Sequence, residues 1–494
     1  MARKINLVKI PRLPIWLLVL LAISFILRIP SFFEPFSYGD EMIYLTLGNA
    51  IKNGLTLYQD IHDNKPPLLY FTAAVAGNVF WFRTILAFWM MLATTLFWHL
   101  AKTLFPKNSK VVKISTIVFT LLTTLPLLEG QTANAELFAL VPALGSFILI
   151  TKNKPKNIHL FLGGVLFSFA FLYKVPAAFD LGAIVFLWFI KIKFNLKSIK
   201  LFTKKTFLLT TGFLLPVLLT LIWYYSKNAL TPYVTSAFMQ NIGYLSSWRP
   251  SDQEKSFLVK NAPLIIRSVV LLSSLLTLTI FRKKLSLPFI LSCAWLGFAL
   301  FAVTLSERPY PHYLIQIVPP VAILVGMLFY QKTAEQSLTI IPLFIAAIVP
   351  VLYHFWHYST LAYYKRFLLF SSGQITQEEY FNRFDGKVNR NYRLATFLTT
   401  STNPNDKVFI WGDSAPIYAL SRRLPPFKYV ANYHISDFSS KEEVLEMILT
   451  KQPAIVILLP ESNPFPELIT TLKNNYYQLS SQENATIWKK LKKS

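Results

Sequence analysis

The sequence predicts a polytopic α-helical membrane protein with about 11 transmembrane helices and a C-terminal extracytoplasmic α/β domain. The 494 residues are 53% hydrophobic and 15% charged, and the mean hydropathy of +0.43 is far from that of a soluble domain. Apolar stretches of about 16–22 residues, long enough to cross a bilayer, recur along the chain. Polar strand and helix patterns return only after residue 357.

The first apolar stretch is predicted to be an uncleaved signal anchor. Lys4, Lys9 and Arg12 precede it, and a cleaved signal peptide is the alternative. The stretch ends in Arg28-Ile29-Pro30 without a small-x-small cleavage site. Hydropathy predicts spans near residues 14–30, 84–104, 114–128, 136–150, 159–173, 176–191, 206–224, 263–281, 285–305, 313–330 and 338–357.

The distribution of Lys and Arg predicts the orientation. With the N-terminus in the cytoplasm, four basic runs fall on the cytoplasmic side: Lys102–Lys113, Lys152–Lys156, Lys191–Lys205 and Arg282–Lys284. The net charge of +25 is therefore expected to face anionic lipid at the cytoplasmic membrane. It does not indicate nucleic-acid binding, which requires a basic face on a folded soluble domain.

This orientation also decides how the apolar segment Pro66–Phe82 is interpreted. Counting it as a span would move Lys102–Lys113 to the outside. We therefore expect it to lie along the outer interface, where Tyr70, Phe80 and Trp81 suit the headgroup region. A twelfth span is the main alternative.

The predicted domains are a membrane module, residues 1–357, with a large first outer loop at 31–83, and an extracytoplasmic α/β domain, residues 358–494. In the second domain we expect strands at 407–411, 427–430, 454–459 and 485–488, and helices at 415–421, 441–449 and 466–473.

Carboxylates and cations are predicted to meet at the outer face. The first loop contains Asp40-Glu41 with Tyr44, then Tyr58, then His62 and Lys65. Later outer loops contain Glu129, Glu136, Lys174, Arg308, His312 and Tyr313. Such a site can hold an anionic lipid head group while a carboxylate removes a proton from an incoming hydroxyl. Asp40 is the first candidate for that carboxylate.

Each candidate also has a purely structural interpretation. Asp40 suits the N-cap of the helix predicted to follow it. Glu41 and Glu136 lie in first helical turns, where the helix dipole alone favours a carboxylate. Lys174, Arg308 and His312 can reach the headgroups as interfacial residues, and Lys65-Pro66-Pro67 can simply stiffen the loop.

Metal sites have little support in the sequence. Asp60, His62 and Asp63 resemble a metal cluster, but such residues more often belong to turns. The single Cys293 lies inside an apolar stretch and excludes disulfides within the chain. No cofactor is required by the sequence, and a divalent metal remains an open alternative.

These motifs, in this order, resemble the membrane glycosyltransferases of the GT-C superfamily. The similarity is to bacterial dolichyl-phosphate-mannose-protein mannosyltransferase-like and lipopolysaccharide-core sugar transferases, and to lipid-A aminoarabinose transferases. It rests on the following elements: Asp40-Glu41 with Tyr44, Gly54 to Tyr58, Lys65-Pro66-Pro67-Leu68, Asn134-Ala135-Glu136, Tyr173-Lys174, Arg308 to Tyr313, and Val408 to Gly412 with Tyr418 and Arg422.

The resemblance implies a sugar donor carried on polyprenyl phosphate, and an acceptor that is a glycan, a lipid or a protein. Asp40 matches the first-loop carboxylate taken as catalytic, and Glu136, or Glu129, matches the second-loop acid. Lys174, Arg308 and His312 match basic positions expected at the donor phosphate. Inversion at the anomeric carbon is expected.

A transporter or flippase for lipid-linked glycans is the competing class. Transporters carry ionisable or broken-helix features near the membrane midplane. Here the predicted spans are nearly free of acids, with Asp180 the main exception, and the carboxylates concentrate in outer loops. An enzyme is therefore the favoured interpretation.

Overall fold

The computed structural model describes residues 13–152, 154–193, 195–243, 256–330, 333–413 and 415–491. The basic residues Lys4, Lys9 and Arg12 of the predicted signal anchor lie outside these ranges.

The membrane module is a bundle of helices with short irregular connections. Its α-helices are α1 (Ile15–Phe32), α2 (Gly39–Lys52), α3 (Leu68–Ala76), α4 (Val79–Leu104), α5 (Ser109–Thr124), α6 (Ala135–Ile150), α7 (Asn157–Tyr173), α8 (Leu181–Phe189), α9 (Leu196–Ser226), α10 (Leu230–Val234), α11 (Gln240–Gly243), α12 (Phe257–Phe281), α13 (Leu287–Thr304), α14 (Val318–Met327), α15 (Ala334–Leu338) and α16 (Ile340–Leu352). Short 3₁₀ helices occupy Pro126–Leu128, Val175–Asp180 and Pro311–Ile317, and a π-helical turn occupies Thr235–Met239.

The predicted spans coincide with these helices. Among the described residues, six helical segments are long and apolar enough to cross a membrane: α1, α4, α9, α12, α13 and the segment Ala334–Leu352. Four shorter apolar segments, Ala135–Ile150, Asn157–Tyr173, Val175–Phe189 and Pro311–Met327, match four further predicted spans. The remaining predicted span, 114–128, corresponds to α5 and the 3₁₀ turn after it. The polytopic helical architecture is confirmed.

The segment Pro66–Phe82 does not form one continuous helix. Helix α3 has nine residues, about 14 Å at 1.5 Å per residue, which is less than half of a bilayer core. Gly77, with φ 74°, ends it, and the Asn78 side chain accepts a hydrogen bond from Trp81 N as α4 begins. The geometry disfavours a twelfth span. Helix α3 instead packs on α2, where a Cβ on Gly48 would lie 2.6 Å from Ala74 N.

The C-terminal domain combines helices with one mixed sheet. Its elements are α17 (Thr360–Ser371), α18 (Gln377–Asn382), α19 (Val388–Ser401), β1 (Val408–Trp411), α20 (Ala415–Ser421), α21 (Asn432–Phe438), α22 (Lys441–Lys451), β2 (Ile455–Leu458), α23 (Pro466–Asn475), β3 (Tyr476–Gln482) and β4 (Ala485–Lys490). The strand order is β1-β2-β4-β3, with β1 and β2 parallel and the other pairs antiparallel.

The strand predicted at residues 427–430 is wrong, because this segment has no ladder partner among the described residues. Its polar groups bond elsewhere. The Lys428 carbonyl accepts a hydrogen bond from His62 N at 2.7 Å, and the Tyr429 hydroxyl donates to the Phe438 carbonyl at 2.8 Å. The segment therefore connects the domain to the first loop of the membrane module.

The two parts of the chain share one hydrophobic core. Buried side chains form a continuous cluster from Leu17 of α1 through Leu47 of α2 to Tyr418 of α20. A second core, around Trp411 and Trp488, fills the other face of the sheet. The C-terminal domain is thus packed directly against the loop that carries the first candidate residues.

Candidate active site

Asp40 lies in the first turn of α2 with its side chain 33% exposed. The helix begins at Gly39 with Tyr38 as N-cap, so Asp40 is not the cap that the sequence allowed. Its Oδ2 accepts a hydrogen bond from the Tyr44 hydroxyl at 3.0 Å and lies 3.5 Å from Lys65 Nζ. Burial acts to raise the pKa of Asp40, but the charges of Lys65 and His312 outweigh it and lower the pKa to about 2.

Glu41, the next residue, points into the protein. Its carboxylate forms a bidentate ion pair with Arg83 and accepts a hydrogen bond from Ala133 N at 2.6 Å. Arg83 also pairs with Glu34 at 2.8 Å. Glu41 and Arg83 are each only 1% exposed. The contacts give Glu41 the role of joining α2, α4 and the second outer loop.

The first loop folds back to place Lys65 beside Asp40. The Tyr58 hydroxyl donates to the Lys65 carbonyl at 2.7 Å, from a residue held at φ 73°. Lys65 Nζ lies 4.9 Å from the centre of the Tyr44 ring, within cation–π range. Tyr44 and Tyr58 are both buried and therefore position the ion pair.

Glu136, Lys174 and Tyr313 form a second group. Lys174, which follows the last residue of α7, brings Nζ to 2.6 Å from Glu136 Oε1 in the first turn of α6. The same Nζ lies 4.2 Å from the centre of the Tyr313 ring. Glu136 is 5% exposed, so the lysine supplies the compensation that a buried carboxylate needs.

His312 connects these residues to Glu129. Its Nδ1 is hydrogen-bonded to Glu129 Oε2, and its Nε2 lies 4.0 Å from Glu136 Oε1. Glu129 is fully buried with φ 56°, and it also accepts a hydrogen bond from the Tyr38 hydroxyl at 2.9 Å. Burial and the charge of Glu129 raise the pKa of Tyr38 well above its usual value, so this hydroxyl stays a donor.

One cavity of about 740 Å³ brings the two groups together. It is lined by a polar cluster: Tyr38, Asp40, Lys65, Glu136, Lys174 and His312. It also has an apolar lining from the 3₁₀ helix Val175–Asp180, the π-helical turn, α11, α12 and the C-terminal end of α13: Phe179, Phe238, Ile242, Leu264, Phe301, Val303 and Leu305. A ligand with a small charged head and an apolar chain matches this division.

Five of the predicted residues are not among the described residues that line the cavity: Glu41, Tyr44, Tyr58, His62 and Arg308. Tyr313 does line it. Arg308 is half-buried and follows Glu307, which has φ 53° and pairs with Arg267 of α12. The loop that was expected to supply two cations to the site therefore supplies His312 directly and Arg308 only nearby.

His62 lies at the contact between the first loop and the C-terminal domain. It is 2% exposed, with Nδ1 3.2 Å from Ser236 Oγ and its ring 5.6 Å from the ring of His434. His434 Nε2 lies 3.5 Å from Asp63 Oδ1. Burial, with His434 and Lys428, lowers the pKa of His62 from 6.5 to about 4, against the opposing charge of Asp63.

The Asp60, His62 and Asp63 grouping does not come together around one point. Asp60 is exposed, and its carboxylate accepts a hydrogen bond from Thr56 N at 2.7 Å, as turn residues do. Within the described ranges, no three His, Cys, Asp or Glu side chains are arranged to hold a metal ion.

The sequence did not predict several of the polar cavity residues, among them Asn241, Gln316 and Tyr433. Gln316 is a polar residue inside a predicted span, which is a recognised indication of function. Tyr433 comes from α21 of the C-terminal domain, 369 positions after Asn64, and only the tertiary packing brings it to the cavity.

Comparisons with known proteins agree with this architecture. The chain is similar in structure to ArnT from Cupriavidus metallidurans bound to undecaprenyl phosphate, with 11% identity and a TM-score of 0.59 over 97% of this chain and 98% of that one. The apo state of the same protein gives 10% identity and a TM-score of 0.52, with 96% and 97% coverage. The chain therefore has the same polytopic helical fold as this ArnT structure.

Two further matches are to an archaeal oligosaccharyltransferase and to a sequence family. The archaeal oligosaccharyltransferase AglB from Archaeoglobus fulgidus, in complex with an inhibitory peptide and a dolichol-phosphate, is similar at 10% identity and a TM-score of 0.46, over 97% of this chain and 74% of that one. Residues 389–492 match the sequence family described as "Putative competence-induced protein Ccs4 C-terminal domain". No curated protein sequence matches the chain.

Proposed function

We propose that the protein is an integral membrane glycosyltransferase that moves a sugar from a polyprenyl-phosphate carrier to an acceptor. The observation that supports it most strongly is the single cavity in which a partly exposed carboxylate, two lysines and an apolar lining meet. A polyprenyl-phosphate sugar has the matching parts: an apolar chain, one anionic phosphodiester and a polar sugar.

The donor phosphate is proposed to bind at Lys174 and Lys65, beside His312. Both lysines are paired with carboxylates in this state, at 2.6 Å to Glu136 and 3.5 Å to Asp40. An ammonium has three N–H donors, so Lys174 can bind the phosphodiester while it keeps its pair with Glu136, and the buried carboxylate stays compensated. The undecaprenyl phosphate bound to the similar ArnT structure supports this class of ligand.

Arg308 is the next candidate for the phosphate. It lies on the loop that also supplies Ser306 and Tyr310 to the cavity. A guanidinium so close to the lining can bind a phosphate in a bidentate manner.

Asp40 is proposed as the general base. Its carboxylate accepts the proton of an acceptor hydroxyl while that oxygen attacks the anomeric carbon. The bond from the anomeric carbon to the phosphate oxygen breaks, and polyprenyl phosphate leaves as an anion that the lysines stabilise. Attack opposite the leaving group inverts the anomeric configuration. The leaving group needs no protonation, so one carboxylate is enough.

Donor binding is expected to strengthen this base. The pKa of Asp40 is low because, against burial, Lys65, His312 and Lys174 act on it as cations. A phosphodiester held by the same cations offsets their charge, so the pKa of Asp40 rises toward its ordinary value when donor is present. The carboxylate therefore becomes a better proton acceptor only in the loaded site.

Glu136 is proposed as the second acid, with an orienting role. It holds Lys174 over the Tyr313 ring and thereby fixes the direction from which the ammonium meets the phosphate. Glu129 in turn orients His312 through Nδ1, which leaves Nε2 on the side of Glu136. Divalent metal is not needed for any of these roles.

The proposed site faces outward from the cytoplasmic membrane, with the N-terminus inside. The four basic runs between spans motivate this orientation. A reporter that is active only in the cytoplasm, fused after residue 494, should stay silent, and the same reporter fused after Lys284 should be active. A cytoplasmically active C-terminal fusion would reverse the proposed orientation.

The experiment for the function uses membranes from cells that express the full chain. We expect one of a panel of radiolabelled polyprenyl-phosphate sugars to lose its label to a membrane or soluble acceptor, releasing polyprenyl phosphate in equal amount. Membranes with Asp40→Asn at matched expression are the control. Donors that cross the bilayer with the sugar still attached would favour the transporter alternative.

A further inference from the structure

Gln316 is a polar side chain in the cavity wall that the proposed reaction has not used. It lies in the 3₁₀ helix Pro311–Ile317, and its Nε2 donates two hydrogen bonds of 2.9 Å, to the Pro176 carbonyl and to Asp180 Oδ1. Asp180 is 4% exposed. Both amide hydrogens of Gln316 are therefore committed to the wall behind it.

These partners determine which way the amide faces. A backbone carbonyl such as that of Pro176 can only accept, so the nitrogen of Gln316 must face it. The oxygen, Oε1, then points away from these two partners. It accepts no hydrogen bond in the described part of the chain, and it is not among the fully buried unpaired atoms. Since Gln316 lines the cavity, Oε1 is an acceptor open to the ligand.

The position of Gln316 limits what that ligand group can be. Gln316 follows His312 by four residues of 3₁₀ helix, about 8 Å along the axis. Its partner Pro176 is two residues after Lys174, and Phe179, beyond Pro176, packs 5.3 Å from Phe301 ring to ring. Gln316 thus lies where the polar cluster gives way to the apolar lining.

A hydroxyl is the group that satisfies this acceptor. The hydrocarbon chain of the donor has no hydrogen to donate, and covering Oε1 with it would leave a desolvated acceptor. The ionised phosphodiester has only lone pairs, which repel those of Oε1. The sugar branches from the same phosphorus as the chain and carries O–H donors.

We infer that Gln316 is a specificity-determining residue whose Oε1 accepts a hydrogen bond from one hydroxyl of the transferred sugar. Asp180 is the positioning residue that, with the Pro176 carbonyl, holds the amide in this orientation. The inference rests on the proposed function and adds to it the part of the substrate that is recognised. A sugar without that hydroxyl is rejected because Oε1 is left unpaired.

The test combines variants with deoxy analogues of the polyprenyl-phosphate sugar that the full-length wild-type enzyme transfers. Each analogue replaces one ring hydroxyl by hydrogen. For the wild type, one position should lower kcat/KM by about 10- to 100-fold. In Gln316→Leu the intact donor should lose a similar factor, and removal of that same hydroxyl should cost less than about 3-fold more.

Asp180 is tested through the same analogue. Asp180→Asn retains an oxygen that accepts from Gln316 Nε2 and should keep the preference for the hydroxyl. Asp180→Leu cannot accept, so the preference should fall toward that of Gln316→Leu. Gln336→Leu, which removes an amide hydrogen bond to the Leu328 carbonyl outside the cavity, is the matched control and should leave the preference unchanged.

The experiment distinguishes a failure of the inference about Gln316 from a failure of the proposed transferase function. If wild type transfers sugar but no deoxy position is coupled to Gln316, the inference is overturned while the transferase function stands. If wild type transfers no sugar from any carrier, the proposed function falls, and the role of Gln316 falls with it.

Discussion

Asp40 and Glu41 are consecutive carboxylates at the start of α2, and their surroundings are opposite in kind. Asp40 is one-third exposed to a cavity and has one lysine at 3.5 Å. Glu41 is 1% exposed, with two hydrogen bonds from Arg83 and one from Ala133 N. One charge is available to a ligand, and the other is fully used by the protein.

The difference shows why an acidic pair in a sequence does not identify a pair of catalytic acids. A buried carboxylate with all its hydrogen bonds made inside the protein holds elements together, and neutralising it takes a charged partner from a buried cation. A carboxylate with one long ion pair can exchange that partner when a ligand arrives. Four predictions, in order of expected effect, test the structural role of Glu41, the roles of Asp40 and Lys174 in the reaction, and the burial of His62.

The largest effect is expected for Glu41→Gln, on stability. It leaves Arg83 without one of its charged partners in a buried position, which costs about 3–5 kcal/mol when a buried pair is broken. Thermal unfolding in detergent and the yield of folded protein measure it. Glu378→Gln is the control, because it breaks an exposed pair with Arg393 worth less than about 1 kcal/mol. Equal stability of both variants would contradict the structural role.

Asp40→Asn is expected to affect the reaction and leave stability almost unchanged. Because Asp40 is not the N-cap, the substitution removes charge and base while keeping shape. Transfer should fall by ~10²-fold or more, as for loss of a general base, with donor still bound. Asp60→Asn, at an exposed carboxylate of the same loop, should stay within a few-fold of wild type. Full activity of Asp40→Asn would show that Asp40 is not the general base, and Glu136 would become the next candidate.

Lys174→Ala is expected to weaken both donor binding and turnover. It removes the ammonium that lies 2.6 Å from Glu136, and losing one charge-assisted bond to the phosphate costs about 1.5–3 kcal/mol, or about 10- to 150-fold. Direct donor binding and kcat separate the two effects. Arg308→Ala should lose less, because Arg308 is not among the described residues that line the cavity. Lys107→Ala, at an exposed lysine, should lose nothing. A larger loss at Arg308 than at Lys174 would show that the donor phosphate binds at Arg308 and not at Lys174.

The smallest effect is a loss of stability at acid pH, through His62. Its pKa is lowered by burial to about 4 in the folded protein and is about 6.5 when unfolded. The unfolded chain therefore binds the extra proton first, and the contribution to stability falls as the pH drops from about 6.5 toward 4. Between pH 7 and pH 5 the loss is about 2 kcal/mol.

This prediction is checked by comparing His62→Asn with wild type across that pH range. The variant should show a smaller drop in unfolding temperature between pH 7 and pH 5. His357→Asn, at an exposed histidine, should behave as wild type does. His434 titrates in the same direction, since burial lowers its pKa too, so some dependence should persist in His62→Asn. An unchanged profile would show that His62 is not the titrating group.

Much of the membrane module was predictable because hydropathy and charge report directly on the bilayer. The positive runs predicted that Pro66–Phe82 does not form a span, but they did not predict the break at Gly77. The strand expected at 427–430 failed because its hydrogen bonds go to His62 and α21, contacts that the local pattern cannot reveal. Strand β3 (Tyr476–Gln482) was missed, since it is stabilised by pairing with β4.

The loops that form the site could be predicted from the sequence. The contacts between their side chains could be predicted only in part. Asp40, Lys65, Glu136, Lys174 and His312 all line one cavity, while which of them acts stays a prediction. That Glu41 faces Arg83 depends on the rotation of α2, which a pattern with buried residues at nearly every position cannot fix. The position of Tyr433 in the cavity wall depends on how the whole C-terminal domain packs against the membrane module.

That packing has a practical consequence for protein engineering. The bond from His62 N to the Lys428 carbonyl, the Asp63–His434 contact and Tyr433 in the cavity wall all cross between the first loop and α21. A chimera joined at residue 357 would combine a loop from one parent with a helix from another and mismatch all three. An exchange that preserves the active centre must carry residues 60–65 and 427–438 from the same parent.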